Sequence, residues 1–199
     1  MRQKTKAPPS YRTLMQRAHL KREIVETLLF VAIIFFVVHV SIQTFLISDT
    51  SMQPALNNGE LVIVNKASYF FGGPSRGDVV LFYDPNDISR QYLARVVAIP
   101  GDTVTVAPDS VVVDGKTLNE PYISVPAGAS ENPKIVPQFT LLPGQYFVLN
   151  DSRIASSDSR TFGAIPRNNI VGKAVLIFWP VSEFGGIPTY PDVFSGVSH

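Results

Sequence analysis

The chain has 199 residues, a formal net charge of +1, 45% hydrophobic residues, no cysteine and three histidines. That length allows one domain with attachments and an ample core. With no Cys, no pair of His at ligand spacing and no glycine-rich loop between a strand and a helix, the composition argues against a metal centre, a nucleotide cofactor or any other bound cofactor.

In chain order, residues 1–23 carry seven basic side chains (Arg2, Lys4, Lys6, Arg12, Arg17, Lys21, Arg22) against one acid, Glu23, which leaves ten basic and fifteen acidic residues from position 24 onward. Basic residues gathered only ahead of an apolar run suit lipid headgroups and not nucleic acid. From Leu28 to Ile47 the sequence gives 16 apolar residues in a window of 20, unbroken from Leu28 to Val38. At 1.5 Å per residue that window is roughly 30 Å long, the thickness of a bilayer's hydrocarbon core. No small-x-small cleavage signal follows it, so the expectation is an uncleaved transmembrane helix over 24–47. The positive-inside rule then leaves residues 1–23 cytoplasmic and residues 48–199 extracytoplasmic, in a single-pass cell-membrane protein.

Beyond the anchor, short runs rich in Val, Ile and aromatics recur: LVIV at 61–64, DVVLFY at 78–83, YLARVVAI at 92–99, DTVTV at 102–106, SVVVDGKTL at 110–118, YFVLN at 146–150 and KAVLIFW at 173–179. Gly, Pro and Asp punctuate them, and nothing after residue 50 has sustained helical periodicity. The pattern predicts a mainly antiparallel, all-β domain over 48–180. Asp114-Gly115 predicts a type I′ hairpin turn. Five prolines within 119–144 predict an extended excursion outside the main sheet, and 181–199 an irregular tail.

The segment SDTSMQPAL, residues 48–56, places Ser51 just past the anchor. A serine needs a neighbouring base to become a nucleophile, and the usual base is histidine. His19, His39 and His199 are all poorly placed for a site beginning at residue 48. If Ser51 is catalytic, its base is another group.

SDTSMQPAL resembles the nucleophile box S-M-x-P-T-L of bacterial type I signal peptidases. In the right order follow GELVIVNK at 59–66, PSRGDVVLF at 74–82, RVVAIPGD at 95–102, DGKTLNEPYI at 114–123 and NDSRIASSDSRTFG at 150–163. The resemblance implies a membrane-anchored serine endopeptidase that removes signal peptides from exported preproteins after small-x-small sites, with a serine and lysine dyad and no cofactor. It implies Ser51 as nucleophile and Ser156 as the hydroxyl that hydrogen-bonds the base. Ile47, Met52, Leu56, Tyr92 and Leu93 would line the pockets for small side chains. Asp151, Arg153, Asp158 and Arg160 would support the site, best as structural ion pairs.

The family's general base is the lysine immediately before R-V, and here that position is Ala94. Arg95 points to the opposite face of its strand, and neither it nor Arg90 can deprotonate. Lys66, Lys116, Lys134 and Lys173 match no base position. Asp49 stands where some relatives carry a serine that helps hold the oxyanion, which leaves the Ser51 backbone N–H as the expected donor. Two functions follow: a signal peptidase whose base is missing, strongly impaired as written, or a non-catalytic relative that binds signal peptides by strand addition.

Overall fold

The computed structural model describes residues 11–108, 110–123, 134–155 and 157–197, with side chains from residue 21 onward. The chain divides into two compact units at the step from Ser41 to Ile42.

The first unit is helix α1 (Tyr11–Ser41). Its stretch Lys21–Ser41 is long and apolar enough to cross a membrane, with a mean hydropathy of 2.5. A helix satisfies its backbone hydrogen bonds internally, which is what a span requires where no water is present. Its large apolar side chains are exposed, with Leu28, Phe30, Phe35 and Phe36 each more than 60% so.

The second unit carries twelve strands: β1 (Ile42–Leu46), β2 (Leu61–Asn65), β3 (Val79–Tyr83), β4 (Gln91–Ala98), β5 (Thr103–Val106), β6 (Val111–Val113), β7 (Lys116–Thr117), β8 (Val136–Thr140), β9 (Gln145–Leu149), β10 (Ile165–Pro166), β11 (Ile170–Trp179) and β12 (Gly185–Gly186). Helix α2 (Ser159–Phe162) is a single turn between β9 and β10. One eight-stranded sheet runs β1-β2-β11-β3-β4-β9-β10 with β12 beside β11; a four-stranded sheet runs β7-β6-β5-β8. Every pairing in both sheets is antiparallel.

The pleat sorts the core. On β3, Val79 and Leu81 pack with Met52, Leu56, Val62 and Leu93. Val80 and Phe82 turn to the opposite face and pack with Ala94, Val96, Val148 and Ile165. A third cluster joins the small sheet to the end of the chain through Val104, Val113, Phe147, Val193 and Phe194. Strand β4 feeds all three. Its register against β9 slips between Val96 and Ala98, so Val97 is an inserted residue, and this bulge sends both Val97 and Ala98 into the third cluster.

One expectation needs revision and two gain detail. The apolar run 24–47 is not one helix: it ends at Ser41, and Ile42–Leu46 pairs with β2 from Ile42 opposite Asn65 to Leu46 opposite Leu61. Residues 42–46 include the β-branched Ile42 and Thr44, which suit a strand once a partner is available. The proline-rich stretch lies outside the main sheet, but Val136–Thr140 is a strand of the second sheet, paired with β5; residues 124–133 fall outside the described residues. Residues 181–197 hold only short 3-10 turns and the two-residue β12, in keeping with an irregular segment, but they pack onto the domain, with Ile187, Val193, Phe194 and Val197 buried. The expected hairpin is present, with φ of 50° at Asp114 and 77° at Gly115, as a type I′ turn demands.

Candidate active site

The chain leaves β1 through Ile47, whose N–H donates to the Glu60 carbonyl at 2.9 Å while its own carbonyl accepts from Gly59 N–H at 2.9 Å. These bonds hold the loop's base closed. Within the loop, Leu56 N–H donates to Met52 O at 2.9 Å, and both side chains are fully buried. Two apolar anchors one turn apart thus fix the segment carrying Ser51 onto the sheet.

Ser51 is 7% exposed, and each of its polar groups has a partner. Its carbonyl accepts from Ser152 N–H at 2.9 Å. Its N–H and its hydroxyl both donate to Asp49 Oδ1, at 2.9 and 2.7 Å. The sequence singled out that N–H as the free oxyanion donor; in the structure a carboxylate oxygen occupies it.

A small cavity of about 60 Å³ opens beside Ser51. Phe45, Ile47, Met52, Tyr92 and Leu93 supply apolar surface, and Ser48, Asp49 and Gln91 line it with Ser51. Four of the five expected pocket residues therefore meet at Ser51. The fifth, Leu56, lies fully buried in the cluster behind them, packed with Ile47 and Met52. Phe45 and Gln91 were not anticipated. Phe45 was hidden inside the apolar run, although its alternation with Gln43 and Ile47 is the signal of a strand facing one way.

Ala94 is fully buried and packs against the face that holds Val80, Phe82 and Val96. Tyr92, two residues earlier on β4, shares that face and reaches the Ser51 cavity. Continuing the β4–β9 register by one step from Arg95 opposite Leu149 sets Asn150 across from Ala94. Asn150 is fully buried, and both polar atoms of its carboxamide lack a hydrogen-bond partner among the described residues.

The supporting residues form ion pairs. Arg95, on the other face of β4 from Ala94, holds Asp151 through Nε–Oδ1 at 2.9 Å and Nη2–Oδ2 at 2.6 Å, with both side chains fully buried. Burial pushes the Asp151 carboxyl above its ordinary range; the hydrogen bonds and charge of Arg95 pull it down without cancelling that. Asp158 caps α2 at Arg160 N–H, accepts from Asn150 N–H at 3.0 Å and pairs with the Arg160 guanidinium at 2.7 Å. Arg153 pairs with Glu120, which also accepts from Tyr122 Oη. Ser156 lies outside the described residues, as does His199. Of the lysines considered as substitute bases, Lys173 pairs with Asp78 at 2.6 Å, Lys134 donates to Thr161 Oγ1 and Lys116 to the Ser195 carbonyl. Among the described residues no group of His, Cys, Asp and Glu could hold a metal ion.

A partly closed cavity of mixed polar and apolar lining, with a buried serine at its rim, thus lies on an antiparallel β domain in a chain that also carries a helix able to cross a membrane. The chain belongs to the family described as "Signal peptidase, peptidase S26", which it matches over residues 20–179. It is 36% identical over 183 residues to signal peptidase IB of Staphylococcus aureus strain COL, covering 83% of this chain and 94% of that protein. To signal peptidase I of Leptolyngbya laminosa it is 37% identical over 152 residues, 73% of this chain and 72% of the relative. Among solved structures, a signal peptidase I from Enterococcus faecalis V583 matches at 29% identity and a TM-score of 0.43, over 50% of this chain and 95% of that one.

Proposed function

We propose that this chain is a membrane-anchored signal peptidase I in which Ser51 is the nucleophile and Ala94 occupies the position of the lysine base, so that it engages signal peptides with small-x-small ends but cleaves them poorly as written. The observation that carries the reading is the convergence on Ser51 of Ile47, Met52, Tyr92 and Leu93 around one small cavity. A cavity of that size favours a short side chain on the substrate residue it receives.

In the active form of such a site, a neutral lysine amine takes the Ser51 proton. The hydroxyl oxygen then attacks the carbonyl carbon, charge collects on the former carbonyl oxygen, and the amine returns the proton to the leaving nitrogen before water releases the acyl group. Ala94 has no amine, and a general base contributes about 10²- to 10⁴-fold. The buried apolar surroundings of Ala94 are of the kind that depress an ammonium pKa, because desolvation penalises the charged form. The basic side chains of residues 1–23, ahead of the apolar run, support an N-terminus on the cytoplasmic side, with the β domain outside and the bilayer and exported preproteins as its partners.

The test is cleavage of a preprotein with an Ala-x-Ala site by the full chain in detergent. Three proteins are compared: the chain as it stands, its Ala94→Lys variant and an Ala94→Lys, Ser51→Ala control. Cleavage that rises with the lysine and vanishes without Ser51 supports the dyad. If the unaltered chain cuts as fast as the Ala94→Lys variant, another group is the base. If none cuts while signal peptide still binds, the non-catalytic binding relative is the better description.

A further inference from the structure

We infer that Asp49 is a positioning residue that holds Ser51 in an unreactive arrangement, a second block on the site that is independent of Ala94. The inference rests on the reading of Ser51 as nucleophile. Asp49 Oδ1 accepts from the Ser51 hydroxyl at 2.7 Å and from the Ser51 N–H at 2.9 Å. One carboxylate oxygen thereby takes both the proton that must be directed at a base and the amide that would meet the oxyanion.

For Ser51 to attack, its O–H must turn away from Asp49 toward the base, the Oγ–C bond must form, and the former carbonyl oxygen must find a donor as it becomes negative. In the observed arrangement each requirement fails at the same atom. The hydroxyl hydrogen is committed, the amide is occupied, and the nearest charge has the same sign as the developing oxyanion. Asp49 is not a substitute for lysine on this geometry. Carboxylates are weak general bases at neutral pH, and proton transfer to Oδ1 would leave the oxyanion without the Ser51 N–H that the same oxygen engages.

The turn does not depend on Asp49 for its shape. Ile47 and Gly59 close its base, Leu56 N–H bonds to Met52 O, and Ser152 N–H holds the Ser51 carbonyl. Asp49 itself is exposed. Its removal therefore frees Ser51 while the segment stays anchored by Met52 and Leu56.

The experiment is steady-state cleavage of an Ala-x-Ala preprotein by the full chain in detergent. Ala94→Lys alone is compared with Ala94→Lys combined with Asp49→Gly or with Asp49→Asn. Freeing an oxyanion donor is expected to raise kcat by about 10²-fold in the glycine variant with KM unchanged. The asparagine variant, which loses the charge but keeps an acceptor oxygen, should rise less. A glycine variant no faster than Ala94→Lys alone overturns the inference, and one that is slower makes Asp49 a base. If no lysine variant cleaves at all, the nucleophile reading fails, and hydrogen exchange at the Ser51 amide decides the remaining question. Slow exchange in the unaltered chain that becomes fast in Asp49→Gly upholds the clamp, and fast exchange in the unaltered chain refutes it.

Discussion

Replacing Arg95 by methionine should be the most destabilising single change in the β domain among those considered. Arg95 is fully buried, donates twice to Asp151 at 2.9 and 2.6 Å, and sends Nη1 to the carbonyls of Gly77 and Pro188 at 2.9 and 2.8 Å. Its guanidinium carbon also sits 4.5 Å from the Tyr122 ring centre and 5.1 Å from that of Tyr190. Methionine keeps most of the volume but leaves the Asp151 carboxylate buried without its counter-charge and two carbonyls short of a donor. Breaking a buried pair from one side costs about 3–5 kcal/mol. For domains of this size, about 2–4 °C per kcal/mol turns that into a Tm lower by roughly 6–20 °C. Near-ultraviolet circular dichroism of the full chain in detergent reads the loss through the tyrosines of the β domain, free of the α1 helical signal. The second arm is Arg95→Met with Asp151→Leu, which removes both charges and should recover most of the loss, since apolar replacement of a whole buried pair is close to neutral. A single variant that loses less than about 1 kcal/mol, or a double variant no better than the single, would refute the assignment of this pair as the domain's central tie.

Two further outcomes follow from the same region. Because burial raises the Asp151 carboxyl above its ordinary value, the folded state binds that proton more tightly than the unfolded chain; the contribution is full below the ordinary carboxylate pKa of about 3.9 and is lost as pH rises through the raised folded value. Thermal unfolding scanned upward from pH 3 should show this decline in the unaltered chain and lack it in Asp151→Asn; parallel profiles would contradict it. Gly77→Ala should destabilise by about 1–3 kcal/mol, because φ is +90° there and an added Cβ would lie 2.1 Å from the Thr189 carbonyl oxygen; an unchanged denaturation midpoint would show that the 188–190 segment yields freely.

Much of this molecule is legible from local sequence, and the exceptions have a common cause. The strands over 61–65, 79–83 and 103–106 announce themselves by apolar and β-branched runs, and the 114–115 turn by its two residues tolerant of positive φ. Strand β1 does not, because IQTFL reads equally well as the end of a span; what makes it a strand is pairing with β2, fifteen or more residues downstream. The 181–197 segment likewise has no period of its own. It is ordered by contacts that the rest of the fold supplies: Pro188 O accepts from Arg95, and Val193, Phe194 and Val197 join the cluster under the small sheet. At the site, the serine and its apolar neighbours were readable and the state of the serine was not. That Asp49 would reach two residues forward onto both N–H and O–H depends on a backbone conformation the sequence does not advertise.

Strand β4 shows how one alternating segment can divide three tasks. Leu93 goes to the cavity face with Met52 and Ile47, Ala94 to the opposite face with Val80 and Val96, and Arg95 back toward Tyr122 and Tyr190. The Arg95–Asp151 pair then acts on the site at a distance of one residue, since Asp151 precedes Ser152, whose N–H holds the Ser51 carbonyl. Cavity residue, proposed base position and structural tie are thus consecutive side chains on one strand. Under the proposed function, alanine at position 94 would replace an amine without disturbing its neighbours, because it is small, apolar and compatible with a strand buried on that face. Across from Ala94, Asn150 has a buried carboxamide with no hydrogen-bond partner among the described residues. An unpaired buried amide is costly. Under the proposed function, an amine reaching along that face would give its oxygen a donor, so the surroundings of Ala94 would accommodate the lysine introduced by Ala94→Lys.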